Sequence, residues 1–136
     1  MIHLDTNVAI AILNERSNRV RSRFDAARDA NTPIFMSVIV FHELMYGAAN
    51  SQRRVQNEEK VALFISSGDI DLLPFDTEDA AIAGSIRAKL RQTGSPIGPY
   101  DLLIAAQALR NGATLITANT REFNRIPGLT VVDWAI

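Results

Sequence analysis

Cysteine is absent from this chain, and its absence excludes a disulfide framework and a thiolate metal site. No apolar run reaches the ~18 residues of a membrane span. No basic segment precedes the first apolar stretch, so the N-terminus does not read as a secretory signal, and a cytoplasmic protein is the expectation. An excess of one charge sign is missing too. The 14 basic and 15 acidic residues leave a net charge of −1, which argues neither for nor against nucleic acid. Lysine is scarce: only Lys60 and Lys89 occur, and every other basic residue is arginine. Arginine forks suit phosphate and carboxylate, although a compositional bias of the host genome explains the preference equally well. What remains is a chain of 136 residues, 47% hydrophobic, with no sign of disorder. That is enough for a single domain, residues 1–136, with its own core.

Strand and helix patterns alternate from the first residue. Ile2 and Leu4 suit a strand, Thr6 and Asn7 a turn or helix start, and Val8 to Leu13 a buried helix. Val20, Phe24 and Ala27 recur at helical spacing. Ile34 to Met36 form a second strand, and Ser37 is a good N-cap for an apolar helix from Val38 to about Ala48. A helix continues the polar stretch from Gln52 through Ile65, and Gly68 stops it. A third strand is predicted over Asp69 to Phe75. Asp76 or Thr77 would then cap a long helix to about Thr93, on which Arg87 and Arg91 stand one turn apart. The stiff loop Gly94 to Pro99 delivers Tyr100 and Asp101 to another apolar helix, Leu102 to Arg110. Asn111 and Gly112 supply its C-terminal cap, Thr114 to Thr117 a fourth strand, Asn119 to Arg125 a short polar turn or helix, and Thr130 to Val132 a last strand. The alternation predicts an α/β fold: a three-layer α/β/α sandwich around a mainly parallel central sheet with right-handed crossovers. No repeat, low-complexity segment or linker interrupts it.

Three carboxylates stand out by context. Asp5 follows a strand, Glu43 interrupts an apolar helix, and Asp101 opens one. A fourth polar group follows the fourth strand in Thr117-Ala-Asn-Thr-Arg-Glu-Phe123, where Asn119 and Glu122 are both candidates. In a parallel sheet, the carboxyl edge of the strands is where ligands bind. Carboxylate oxygens are hard ligands and suit Mg²⁺ or Mn²⁺. Such ions activate a water and stabilise the leaving oxygen in phosphodiester hydrolysis, so no protein nucleophile is required. None is evident, because neither His3 nor His42 has a Ser or Cys at a recognisable spacing. Each residue has a plainer reading as well. Asp5 and Asn119 suit helix caps, Glu43 suits pairing with a buried arginine, Asp101 suits the helix dipole, and Thr117 suits an ordinary strand.

Taken together, these stretches resemble the PIN-domain ribonucleases, and among them the VapC toxins of bacterial toxin–antitoxin pairs. The similarity runs over essentially the whole chain. It is carried by Leu4-Asp-Thr-Asn7, by Ser37 to Ala48 around Glu43, by Pro96 to Ala106 around Asp101, and by Thr117 to Phe123. The resemblance implies a PIN-like fold and a Mg²⁺-dependent endoribonuclease (Mn²⁺ substituting) that cuts structured RNA such as tRNA. It makes Asp5, Glu43 and Asp101 the acidic metal-site residues, with the fourth catalytic position falling on Asn119 or Glu122. It also implies a VapB-type antitoxin packed over the active site, a contact that exposed apolar surface on the Val38–Phe64 helices would suit, and a homodimer. Thr6, Asn7, Thr117, Arg87 and Arg121 are expected to touch substrate, with Arg91 and Arg125 as further phosphate contacts.

Two other readings compete. A phosphatase of the haloacid-dehalogenase type also places an Asp after its first strand. It needs a second Asp two residues on, where this chain has Asn7, and a lysine, which here falls only in polar helices. A PIN fold kept as a binding or regulatory module would have no use for the intact set of Asp5, Glu43 and Asp101.

Overall fold

A computed structural model describes all 136 residues. Five short strands form one parallel sheet: β1 (Ile2–Leu4), β2 (Ile34–Ser37), β3 (Asp71–Leu73), β4 (Thr114–Ile116) and β5 (Thr130–Val132). Seven helices connect or flank them: α1 (Thr6–Leu13), α2 (Asn18–Asp29), α3 (Val38–Ala49), α4 (Arg54–Ser66), α5 (Thr77–Gln92), α6 (Pro99–Arg110) and α7 (Thr120–Phe123). The result is the expected α/β/α sandwich. No helix is long and apolar enough to cross a membrane.

The strand order is β3-β2-β1-β4-β5. From β1 the chain first moves outward through β2 to β3, then returns to the far side of β1 to lay down β4 and β5. Right-handed crossovers in opposite directions put their helices on opposite faces. The order therefore reverses between β1 and β4. At such a switch point the loops leave in opposite directions and open a crevice at the carboxyl edge. His3 pairs with Leu115 and Leu4 with Ile116 across that point. The next residues, Asp5 and Thr117, both emerge there.

The strands read as apolar runs because helices cover them. Leu4, Met36 and Leu115 have no exposed surface, and Ile116 is only 2% exposed. Phe24, Val40, Ile104 and Phe123 join them in one contiguous core. On the other side of the switch point, α5 and α6 form an antiparallel hairpin. Asp76 caps α5 in a reciprocal capping box with Asp79. Asp79 is buried, and Arg110 at the end of α6 donates to it at 2.9 Å, while Gln107 donates to the carbonyl of Pro74 at 2.8 Å. These bonds fix the far end of the hairpin. Its near end, the loop that leads to Asp101, is thereby aimed at the carboxyl edge.

Several boundaries differ from the expected ones, three of them for a clear local reason. The first helix begins at Thr6 because Asp5 itself is the cap. Helix α6 begins at Pro99 rather than Leu102. Proline is favoured in a first helical turn, where its missing N–H costs nothing, and Gly98 precedes it as the N-cap. Strand β3 is shorter than Asp69 to Phe75. It is an edge strand with one neighbour, and Pro74 has no N–H to extend the ladder.

Candidate active site

Asp5 sits where β1 gives way to α1 and is 2% exposed. Its Oδ1 accepts from the Thr6 backbone N–H at 2.8 Å, and its Oδ2 accepts from the Thr117 hydroxyl at 2.6 Å. Both bonds favour the charged form, yet burial outweighs them, and with Glu43 and Glu122 nearby the carboxyl is pushed above its ordinary range. Thr117 also accepts from the Asn119 backbone N–H at 3.0 Å. Asp5 is thus a helix cap, as its plainer reading expected, and it also stands among the other acids of this edge.

Glu43 reaches the same place from α3. It is half-buried, and its Oε1 accepts from the Thr6 hydroxyl at 2.7 Å. No arginine pairs with it. Asp101 enters from the first turn of α6. Burial, then Asp5, Glu122 and Glu43 in that order, raise its carboxyl to about 6, and no hydrogen bond offsets them. The ion pairs of the molecule lie elsewhere, on α2, α4 and the Arg110 network. Negative charge is therefore gathered at one edge, and none of these carboxylates is held in an ion pair.

Glu122 has a different environment. Its Oε1 accepts from the Gly98 backbone N–H at 2.9 Å, and its Oε2 accepts from the Asn119 amide at 2.6 Å. These bonds, helped by Arg125, hold it below its usual range. Glu122 ties α7 to the loop that presents Asp101, and Asn119 braces Glu122. Arg125 donates to the Pro96 carbonyl at 2.9 Å on the same loop.

The donor chemistry fits a divalent cation: hard carboxylate oxygens, mutually repelling and poor in compensating charge. No three His, Cys, Asp or Glu side chains are drawn together tightly enough in this structure to enclose one. Both Asp5 and Glu43 are turned toward hydroxyl donors, so an ion held by them would require these side chains to turn toward it.

The other expected site residues divide. Thr6 is at the site, holding Glu43. Asn7 is exposed beside it, and its Oδ1 accepts from the Ala118 backbone N–H at 3.3 Å. Thr117 is fully buried with its hydroxyl committed to Asp5, so it is a support rather than a surface for substrate. Arg121 is exposed on α7. Arg87 and Arg91 instead line a cavity of about 800 Å³ between α5, α6 and the Pro96–Pro99 loop, and none of the four carboxylates lines it. A second cavity of about 280 Å³, between α1, α3 and α4, has Glu43 in its wall together with Arg16 and Lys60. Sequence reasoning missed those two cations, because nothing local in the sequence brings them to Glu43. It also missed the contact between His42 and Tyr100, whose ring centroids are 5.4 Å apart. Their signal was positional, since each directly precedes one of the acids.

With this geometry in place, comparison with known proteins is direct. The PIN domain family model matches residues 2–129. The tRNA(fMet)-specific endonuclease VapC of Salmonella typhimurium is 40% identical over 132 residues, covering 96% of each chain. The chain belongs to the VapC ribonuclease family of PIN-domain proteins. A second VapC relative, ribonuclease VapC2 of Rickettsia felis, is 36% identical over 131 residues, again covering 96% of each chain. The crystal structure of VapBC2 from Rickettsia felis, bound to a DNA fragment from its promoter, superposes with a TM-score of 0.90 at 35% identity and covers 98% of this chain and 99% of that one. In the VapC fold, Asp5 and Thr117 flank the switch point, and α3 and α6 each bring one acid to it.

Proposed function

We propose that this VapC-family chain is a metal-dependent endoribonuclease and the toxin of a VapBC-type pair. Asp5, Glu43 and Asp101 would hold Mg²⁺, with Mn²⁺ able to substitute. The observation that carries this reading is the set of carboxylates from the end of β1, α3 and α6 at one switch point, none of them held in an ion pair. The bound ion would supply a water activated at neutral pH and charge stabilisation for the leaving oxygen. The chain supplies the rest. Thr6 and Thr117 orient Glu43 and Asp5, which is the role outer-shell groups play around metal ligands. Glu122 and Asn119 hold the Gly98 loop and so set the position of Asp101. Asn7 and Arg121, both exposed near this edge, would contact substrate phosphates.

Structured RNA is the proposed substrate, and tRNA the first to test, because the Salmonella relative is named for cleavage of tRNA(fMet). A VapB-type antitoxin is the proposed inhibitor, since the Rickettsia felis neighbour is a VapBC assembly. Exposed Val55 and Leu63 on α4 offer apolar surface for such a contact or for a homodimer. The test is Asp5→Ala, assayed for cleavage and for folding. The account expects a folded protein, by circular dichroism, that no longer cuts RNA. Wild-type cleavage by that variant would remove Asp5 from the site.

A further inference from the structure

Most of the aromatic side chains of this protein are spent on the core. Phe24, Phe64, Phe123 and Trp134 are all buried. The two tyrosines are not: Tyr46 is 65% and Tyr100 47% exposed. His42 is exposed as well, and its ring meets that of Tyr100 at 5.4 Å with a tilt of 57°. The placement of this pair is specific. His42 directly precedes Glu43 on α3, and Tyr100 directly precedes Asp101 on α6. Two helices from different parts of the chain thus bring an acid and an aromatic ring each to the same edge. Tyr46 lies one turn beyond His42 on the same face of α3. The rings of His42 and Tyr100 thus meet at the two points of the chain that carry Glu43 and Asp101, and Tyr46 continues the aromatic surface along α3.

We propose that His42 and Tyr100 form a stacking platform for an unpaired base next to the scissile phosphate, with Tyr46 extending it by one step. This inference rests on the ribonuclease reading and assigns to these rings the seating of an unstacked base beside the cut. Bases within an A-form duplex are already stacked and lie out of reach, whereas splayed bases are commonly held on Tyr, Phe, Trp or His rings. Stacking is tolerant of base identity because every base has a π-face. The platform would thus set which backbone position enters the acidic site more than which sequence is read. His42 and Tyr100 are positioning residues in this scheme, and the chemistry stays with the acids.

The test uses the purified full chain and an RNA whose cut has been mapped with the wild type. Tyr100→Ala is expected to raise KM about tenfold or more, the range for losing one base–aromatic stack. The metal concentration for half-maximal activity should not change. Tyr100→Phe should restore the wild-type KM. The decisive arm replaces one nucleotide flanking the cut by an abasic residue. At one of the two flanking positions the wild type should lose a similar factor, and Tyr100→Ala should lose little further, because base and ring are two halves of one contact. Independent, multiplying losses at both positions would overturn the proposal. So would a raised metal requirement in Tyr100→Ala, which would mean that Tyr100 merely seats Asp101. Unchanged cleavage together with weakened antitoxin binding would make the surface a protein contact and equally overturn it. A wild type that cuts no RNA with any divalent metal would instead defeat the ribonuclease reading beneath it.

Discussion

Replacing Asp101 by Asn should make the metal-free protein more stable while removing its activity. Burial and three neighbouring acids raise the Asp101 carboxyl from 3.8 to about 6. At ~1.36 kcal/mol per pH unit, that difference corresponds to roughly 3 kcal/mol of penalty on the fully charged form. Asp101 keeps partial contact with solvent, which screens the repulsion, so the expected gain is about 1–2 kcal/mol. Unfolding entropy of ~2.1 cal/mol/K per residue, over a chain of this length, turns that into about 3–7 °C in Tm. The sign with pH is determined by the same shift. A carboxyl raised in the folded state is penalised only when charged, so the penalty grows as pH climbs from 3.8 through about 6 and is complete above that. The advantage of Asp101→Asn should therefore be full at pH 7.5 and vanish near pH 4. Added Mg²⁺ should raise the Tm of the wild type and leave that of the variant nearly unchanged. Paired thermal melts at several pH values, with and without Mg²⁺, measure all of this. A variant that melts at or below the wild type at pH 7.5, or whose advantage persists unchanged at pH 4, would refute the electrostatic argument.

Other perturbations separate supports from ligands. Thr6→Val removes the hydroxyl that holds Glu43 at 2.7 Å; about tenfold more metal should then be needed for half-maximal cleavage, as is usual when an outer-shell partner is lost. An unchanged metal titration would show that Glu43 is oriented otherwise. Glu122→Gln puts an amide donor against the Gly98 N–H or the Asn119 amide, so kcat/KM should fall about tenfold or more through misplaced geometry. The metal requirement should stay fixed, and a marked rise in it would make Glu122 a ligand. Asp79→Ala removes the Asp79 half of the capping box of α5 and strips Arg110 and Gln107 of a partner. It should cost about 2 kcal/mol in urea unfolding without altering the metal requirement; a shift in that requirement would link the far end of the α5–α6 hairpin to the site.

The acids could be found in the sequence because each stands in a context that needs explaining. Asp5 ends an apolar strand, Glu43 breaks an apolar helix, and Asp101 follows a rigid loop. Such violations of local pattern concentrate at functional sites. The parallel sheet was equally legible, since strand and helix periods alternate without interruption. What could not be read was the side-chain geometry that assigns roles. Glu122 and Asn119 look alike as fourth-ligand candidates in one dimension. Only the fold brings Gly98 N–H to Glu122 across 24 residues and so makes Glu122 a brace. Arg87 and Arg91 form an obvious pair by spacing, yet α5 carries them into a cavity lined by none of the acids. Arg16 and Lys60 stand far apart in sequence and meet Glu43 only in the folded wall of another cavity. Thr117 reads as a plain strand residue, and the hydroxyl that steadies Asp5 appears only once β4 lies beside β1.

The measurement closest to the central claim is cleavage of total cellular RNA by the purified protein, with Mg²⁺, Mn²⁺ or EDTA, read by mapping new 5′ ends alongside Asp5→Ala. The account predicts discrete cuts in a structured RNA that require the metal and disappear both in EDTA and with the variant. Cuts that survive EDTA or Asp5→Ala, or an absence of cuts with either metal in antitoxin-free protein, would contradict it.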